Sequence, residues 1–179
     1  MTLSDQNVTD LTTYAGTWIL DPARTSVEFH TKAMWVVKVK GTVKAIEGRA
    51  DIGSDGALSG TLVLDATSFD THNKKRDAHL RSKDFFAVAE HPHLKFELER
   101  LLTDAGGTTT VQGTLRIRGE ALPITAPISI ENTGPDTLRL AADFTVPHRG
   151  SALARTGSGW KKVPETLRIQ AALTLERSR

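Results

Sequence analysis

The stretch "VVKVKGTVKAIEGRADI" (residues 36–52) decides the class of fold. From Val37 to Ala45 it places Val37, Val39, Gly41, Val43 and Ala45 at one parity and Lys38, Lys40, Thr42 and Lys44 at the other. Successive side chains of a strand point to opposite faces, so this alternation predicts a strand with one dry and one wet face. Working outward, the same period recurs. "SVEFHTKA" (26–33) sets Val27 and Phe29 against Glu28 and His30, and "GTLVLDATSF" (60–69) turns Leu62, Leu64 and Ala66 inward. "LKFELERL" (94–101) opposes Leu94, Phe96 and Leu98 to Lys95, Glu97 and Glu99.

The second half repeats it. Leu115 and Ile117 share a face in "TVQGTLRIRG" (110–119), as do Ile124 and Ile128 in "LPITAPISIEN" (122–132). Leu140 and Phe144 do so in "LRLAADFTV" (138–146), and Ile169 and Leu173 in "TLRIQAALTLER" (166–177). Turn formers separate the runs at 53–57, 104–108, 118–123 and 132–136, and short links favour antiparallel neighbours. About eight one-faced strands must cover one another as a barrel or as two packed sheets. Small inward residues, among them Gly41, Ala66, Gly113, Ala126 and Ala142, either widen an interior or fit the taper of a filled core.

Composition narrows the class of function. At 179 residues, with 39% hydrophobic and 25% charged, the chain suits one globular domain: a loose arm over 1–16 and a single domain over 17–179. The 23 Lys+Arg against 21 Asp+Glu leave a net charge of +2, so no strong positive field invites nucleic acid. Without cysteine there is no thiolate chemistry, zinc–thiolate site or disulfide. The N-terminus, "MTLSDQNVTDLTTYAGTW", has no basic, apolar leader pattern, and no window is apolar enough for a spanning helix. A cytoplasmic protein without stable membrane insertion is therefore expected.

One segment breaks the period. "DTHNKKRDAHLRSKDFFAVAEHP" (70–92) is charged and helix-forming, with Asn73 and Ser82 as candidate N-caps for one or two short helices. It allows four readings. Arg76, Asp77, Arg81 and Asp84 can pair with one another and with strand ends as a structural crossover, as charge runs commonly do. Phe85 and Phe86 can instead guard an apolar cavity, with Arg76, His79 and Arg81 meeting an anionic head group. A metal site could draw on His72, His79, His91 and His93, but the ligands are too few and too dispersed, and none is expected. Catalysis could use Asp77 with His79, yet no nucleophile elbow, H-E-x-x-H or phosphate loop accompanies them. The second long link, 147–164, is basic around Trp160 and reads as a surface loop or as a second flap over an anionic head group or membrane surface.

Taken together, "WILDPARTSVEF" (18–29), "VKGTV" (39–43), "SFDTHNKKRDAHLRSKDFFAVAEHPHLKFE" (68–97) and "VQGTLRIRGEALPI" (111–124) resemble the YceI-like family of polyisoprenoid-binding, lipocalin-like proteins. The resemblance implies an all-β fold: an extended eight-stranded antiparallel barrel with a short helical insert at about 73–88. It implies binding of a long-chain isoprenoid or similar amphiphilic lipid, for carriage, storage or sequestration, without a cofactor and without catalysis. Strand parity then nominates Phe29, Phe96, Leu98, Leu115, Ile117 and Phe144 for the wall. Trp35, Phe85 and Phe86 are the gate candidates, and Arg76, His79 and Arg81 the head-group candidates. The lipid is the expected partner, with self-association as a homodimer left open. Two alternatives stand beside this: an enzyme or stress-response protein acting at 72–84, and a structural module with a filled core.

Overall fold

Backbone pairing closes the alternating strands into a ring. The computed structural model describes residues 7–8, 11–33, 37–147 and 166–179. In chain order the strands are β1 (Asn7–Val8), β2 (Gly16–Leu20), β3 (Ser26–Ala33), β4 (Val37–Ile52) and β5 (Leu58–Asp70). The helix α1 (Lys74–Arg81) follows, then β6 (His93–Thr103), β7 (Thr109–Ile117), β8 (Glu120–Gly134), β9 (Thr137–Pro147) and β10 (Thr166–Arg177). β2 and β3 both lie between β4 and β10, interrupted by a 3-10 turn at Pro22–Arg24 whose N-cap, Asp21, accepts from the Ala23 amide. They act as one barrel strand. With it, β4 to β10 complete a closed eight-stranded antiparallel barrel, and the extra strand β1 pairs with β6. Closure satisfies the edge amides that an open sheet would expose.

The alternation of 36–52 holds only as far as Ala45. Register shifts at Thr42/Lys44 and Ala45/Glu47 reverse its phase, so Glu47 is exposed while Gly48 is buried. A bulge inserts one unpaired residue and swaps the face of everything after it. A second bulge, at Leu98/Arg100, turns Leu101 inward where strict alternation points it out.

The insert forms one helix, not two. Asn73 caps α1, its Oδ1 accepting from the Arg76 amide at 2.9 Å. Ser82 closes the helix rather than starting another: its hydroxyl donates to the His79 carbonyl, and residues 83–86 and 88–90 are turns. Several described residues of the N-terminal segment contact the barrel or form local structure. Val8 pairs with Leu102, residues 12–14 form a 3-10 turn, and Leu11 is buried.

Strand register also defines the two ends of the barrel. The β3–β4 hairpin, α1, the β7–β8 turn, the end of β9 and the start of β10 share one end. The turns at 53–57, 104–108 and 134–137 share the other. There Trp18 is only 1% exposed; its indole N–H donates to the Tyr14 carbonyl and Arg177 lies over its ring at 4.4 Å.

Candidate functional site

The inward faces do not interlock across the barrel. They enclose a cavity of about 310 Å³ whose wall is almost wholly apolar. Phe29, Phe96, Leu98, Leu115, Ile117 and Phe144, nominated from parity, all line it, as do Phe85 and Phe86 from the crossover. The filled-core alternative is thereby overturned. Trp35 and residues 148–164 of the second link lie outside the described residues.

Two glycines explain how bulky phenylalanines leave this space open. Phe29 stands opposite Gly41 in the β3–β4 register, and its ring lies where a Cβ on residue 41 would be. Gly113 does the same for Phe96, one pair along from Leu98. An aromatic ring laid over a glycine stays against the wall instead of crossing the lumen.

Four further rings gather at the helical end. Phe69 meets Phe29 edge-on at 5.7 Å and stacks on Phe86 at 4.3 Å. His79 packs edge-on against Phe85 at 5.0 Å. Phe69 escapes simple alternation, since Leu62, Leu64 and Ala66 predict even positions inward. The signal for the change is "DATS" (65–68): Asp65 Oδ1 accepts from the Thr67 amide and hydroxyl, and the Ser68 hydroxyl donates to the Asp65 carbonyl. Such short polar side chains offer the backbone a local turn that shifts the strand's phase.

The charges of the crossover hold it to the barrel. Asp77, buried, accepts from both the amide and the hydroxyl of Thr71 at 2.9 and 2.6 Å. Arg76 donates to the Thr71 hydroxyl and carbonyl, and Arg81 to the carbonyls of Thr67 and Phe69. Arg118, in the β7–β8 turn, donates to the carbonyls of Lys83 and Phe85 at 2.7 and 2.8 Å. Its φ of 53°, followed by Gly119 at 75°, matches the tight hairpin turn that needs two left-handed residues. Arg76, His79 and Arg81, nominated for a head group, are absent from the cavity wall. Both arginines point their guanidinium groups at strand-end oxygens, and His79 Nε2 faces Asp84 at 3.4 Å.

The paper dyad is not assembled, because Asp77 turns to Thr71 and His79 to Asp84. Among the described residues no three His, Asp or Glu side chains converge as a metal site. A two-bonded ion pair lies elsewhere, on the outer face. Arg168 grips Asp143 with two bonds, at 2.8 and 2.5 Å, and this pairing holds the Asp143 carboxyl down at about 2.

With this geometry in view, comparison with known proteins is informative. Residues 18–175 match the model of the YceI-like domain. A UPF0312 protein of Staphylococcus epidermidis is 32% identical over 102 residues, covering 56% of this chain and 57% of that protein. The chain thus spans little more than half the length of that relative. A UPF0312 protein of Vibrio parahaemolyticus is 26% identical over 154 residues, 77% of this chain and 82% of its own. Among solved structures, Burkholderia cenocepacia BcnA superposes with a TM-score of 0.72 at 25% identity, covering 87% of this chain and 98% of its own. A polyisoprenoid binding domain from Saccharophagus degradans, implicated in plant cell wall breakdown, gives 0.71 at 14% identity, over 90% and 98% of the two chains. That last likeness is one of fold alone. A lidded, apolar, eight-stranded barrel and the match across nearly its whole length agree: the chain belongs to the YceI-like domain family.

Proposed function

We propose that the protein binds a long-chain isoprenoid or similar amphiphilic lipid inside the barrel and carries, stores or sequesters it. The observation that carries this reading is the apolar cavity of about 310 Å³, kept open by the Phe29–Gly41 and Phe96–Gly113 arrangements. Its size falls within the range of small-molecule sites. Burying a five-carbon prenyl unit is worth about 4 kcal/mol at ~0.8 kcal/mol per methylene-sized group, less the cost of ordering the chain. The solved domain of the same fold described as polyisoprenoid binding supports the same class of ligand.

In this reading the tail lies along Phe29, Phe96, Leu98, Leu115, Ile117 and Phe144, with Phe85 and Phe86 at the gate. Arg76 and Arg81 act through the crossover they fasten, rather than by touching the ligand. Catalysis at 72–84 is disfavoured because Asp77 is committed to Thr71.

The test is organic extraction of the purified protein, with mass spectrometry before and after, and displacement of an environment-sensitive apolar dye by prenyl alcohols of increasing length. A bound apolar lipid, or dye displacement that strengthens with chain length until the cavity is filled, is expected. An extracted protein that takes up neither dye nor any prenyl alcohol would overturn the proposal.

A further inference from the structure

We infer that the row Trp18–Ala50–Gly60 is the floor of the lumen, so that the protein selects its lipid by tail length, with the tip of the tail seated at Ala50. The inference rests on the lipid-binding reading above and adds which part of the ligand is measured, and where. Trp18, Ala50, Gly60 and Leu98 are successive cross-strand partners on β2, β4, β5 and β6. Ala50 faces inward, since Arg49 and Asp51 on either side of it pair with each other on the outer face. Ala50, Gly60 and Leu98 line the cavity, as do Leu20 and Leu175, a pair one step nearer the helical end. Trp18 is buried in the same apolar cluster but stands outside the cavity wall, so the space ends at this row. Its indole N–H is satisfied by the Tyr14 carbonyl at 2.8 Å and asks nothing of a ligand. Ala50 and Gly60 carry one methyl group between them, which leaves the tip its room.

The two ends of the barrel are closed by different means. Behind Trp18 the chain itself covers the opening. Leu11 is buried, and the Thr12 methyl lies 4.0 Å from the point a Cβ on Gly56 would occupy. Arg177 lies over the indole and donates to the Ala15 carbonyl. Trp18 also belongs to the ladder, paired with Ala50 and Arg177, so moving this floor would mean opening strands. At the helical end Leu80, Phe85 and Phe86 reach the cavity from the crossover. Side-chain bonds from Arg76, Arg81 and Arg118 fasten that segment, rather than a strand ladder. Such a cover opens at lower cost than the ladder does. The tail therefore enters past the crossover, tip first, and stops at Ala50. Each prenyl unit that fits adds apolar burial, and a unit too many adds none. On β10 the wall runs from Leu167 to Leu175. At ~3.3 Å per residue and a tilt of ~40° that is about 20 Å along the axis. A fully extended geranylgeranyl tail is about as long, at ~1.5 Å per bond.

The experiment measures dye displacement from the extracted full chain by geraniol, farnesol, geranylgeraniol and solanesol, with Ala50→Leu and Gly60→Ala beside the wild type. Wild-type affinity should rise with length and level off no later than geranylgeraniol. Ala50→Leu should level off at a shorter alcohol. It should raise the Kd of the wild type's best ligand about tenfold, and that of geraniol by clearly less. Gly60→Ala should shift selectivity the same way by a smaller step, since its Cβ would lie 3.1 Å from Leu98 Cδ2 and that side chain must give way. It carries the test if Ala50→Leu does not fold, as judged by thermal melting. Equal loss at every length, an unmoved levelling point in a folded Ala50→Leu, or wild-type affinity that still climbs from geranylgeraniol to solanesol would overturn the floor while leaving the carrier reading intact. A wild type that takes none of the four alcohols would bring down both.

Discussion

The ring of Phe29 fills the space that a Cβ on Gly41, its cross-strand partner, would need: Cε1 lies 2.6 Å and Cε2 2.8 Å from that point. The lumen on that side is therefore open because one strand gives up a side chain so that the next can lay its ring flat.

Gly41→Ala should push Phe29 into the lumen, weaken prenyl-alcohol binding at least tenfold, and cost about 1–3 kcal/mol of stability through overpacking. Gly113→Ala should destabilise more. Its Cβ would meet the Glu97 backbone carbonyl as well as the Phe96 ring, and a backbone cannot swing aside as a ring can. Thermal unfolding and dye displacement on both variants check the order. Equal, negligible losses would show that the rings do not depend on the glycines.

Asp77→Ala should loosen the crossover, because it strips the Thr71 amide and hydroxyl of a shared, buried acceptor. The expected cost is about 2–3 kcal/mol. Asp77→Asn keeps a side-chain carbonyl oxygen for the same two donors and should cost clearly less. Hydrogen exchange at residues 71–86 should rise in the alanine variant before the barrel strands respond. Simultaneous opening of crossover and barrel would show that the insert is not a separately releasable lid.

Acid stability should carry the mark of the Asp143–Arg168 pair. Arg168 lowers the Asp143 carboxyl from 3.8 to about 2, so the folded state favours the charged form. The stabilisation is present above the unfolded value and is lost as pH falls from 3.8 through about 2. Asp143→Asn should have a lower urea midpoint than wild type at neutral pH and converge with it toward pH 2. Both partners are roughly half exposed, so the separation should be small and should shrink with salt. Parallel curves down to the lowest pH would exclude the pair as a source of acid sensitivity.

Much of the barrel was legible because alternation is local. Val39 and Val43 face inward and Lys38 and Lys40 outward, as period two requires, and the wall nominations from Phe29 to Phe144 all reach the cavity. Asn73 could likewise be read as a cap from its own short side chain. The bulges were less legible. Gly48 and Phe69 sit beyond phase changes that depend on which neighbouring strand pairs. That Arg76 and Arg81 bond strand-end oxygens was not legible, since a guanidinium suits a phosphate and a carbonyl alike and the position of the β5 end depends on tertiary structure.

The amino-acid pattern by itself determined that one-faced strands would enclose an apolar interior and that the charged stretch at 70–92 would interrupt them, because both follow from side-chain chemistry within a few residues. Whether that interior would be solid or hollow was decided by tertiary structure. It turned on register between distant strands, which set Phe29 over Gly41, and no local pattern encodes such a pairing.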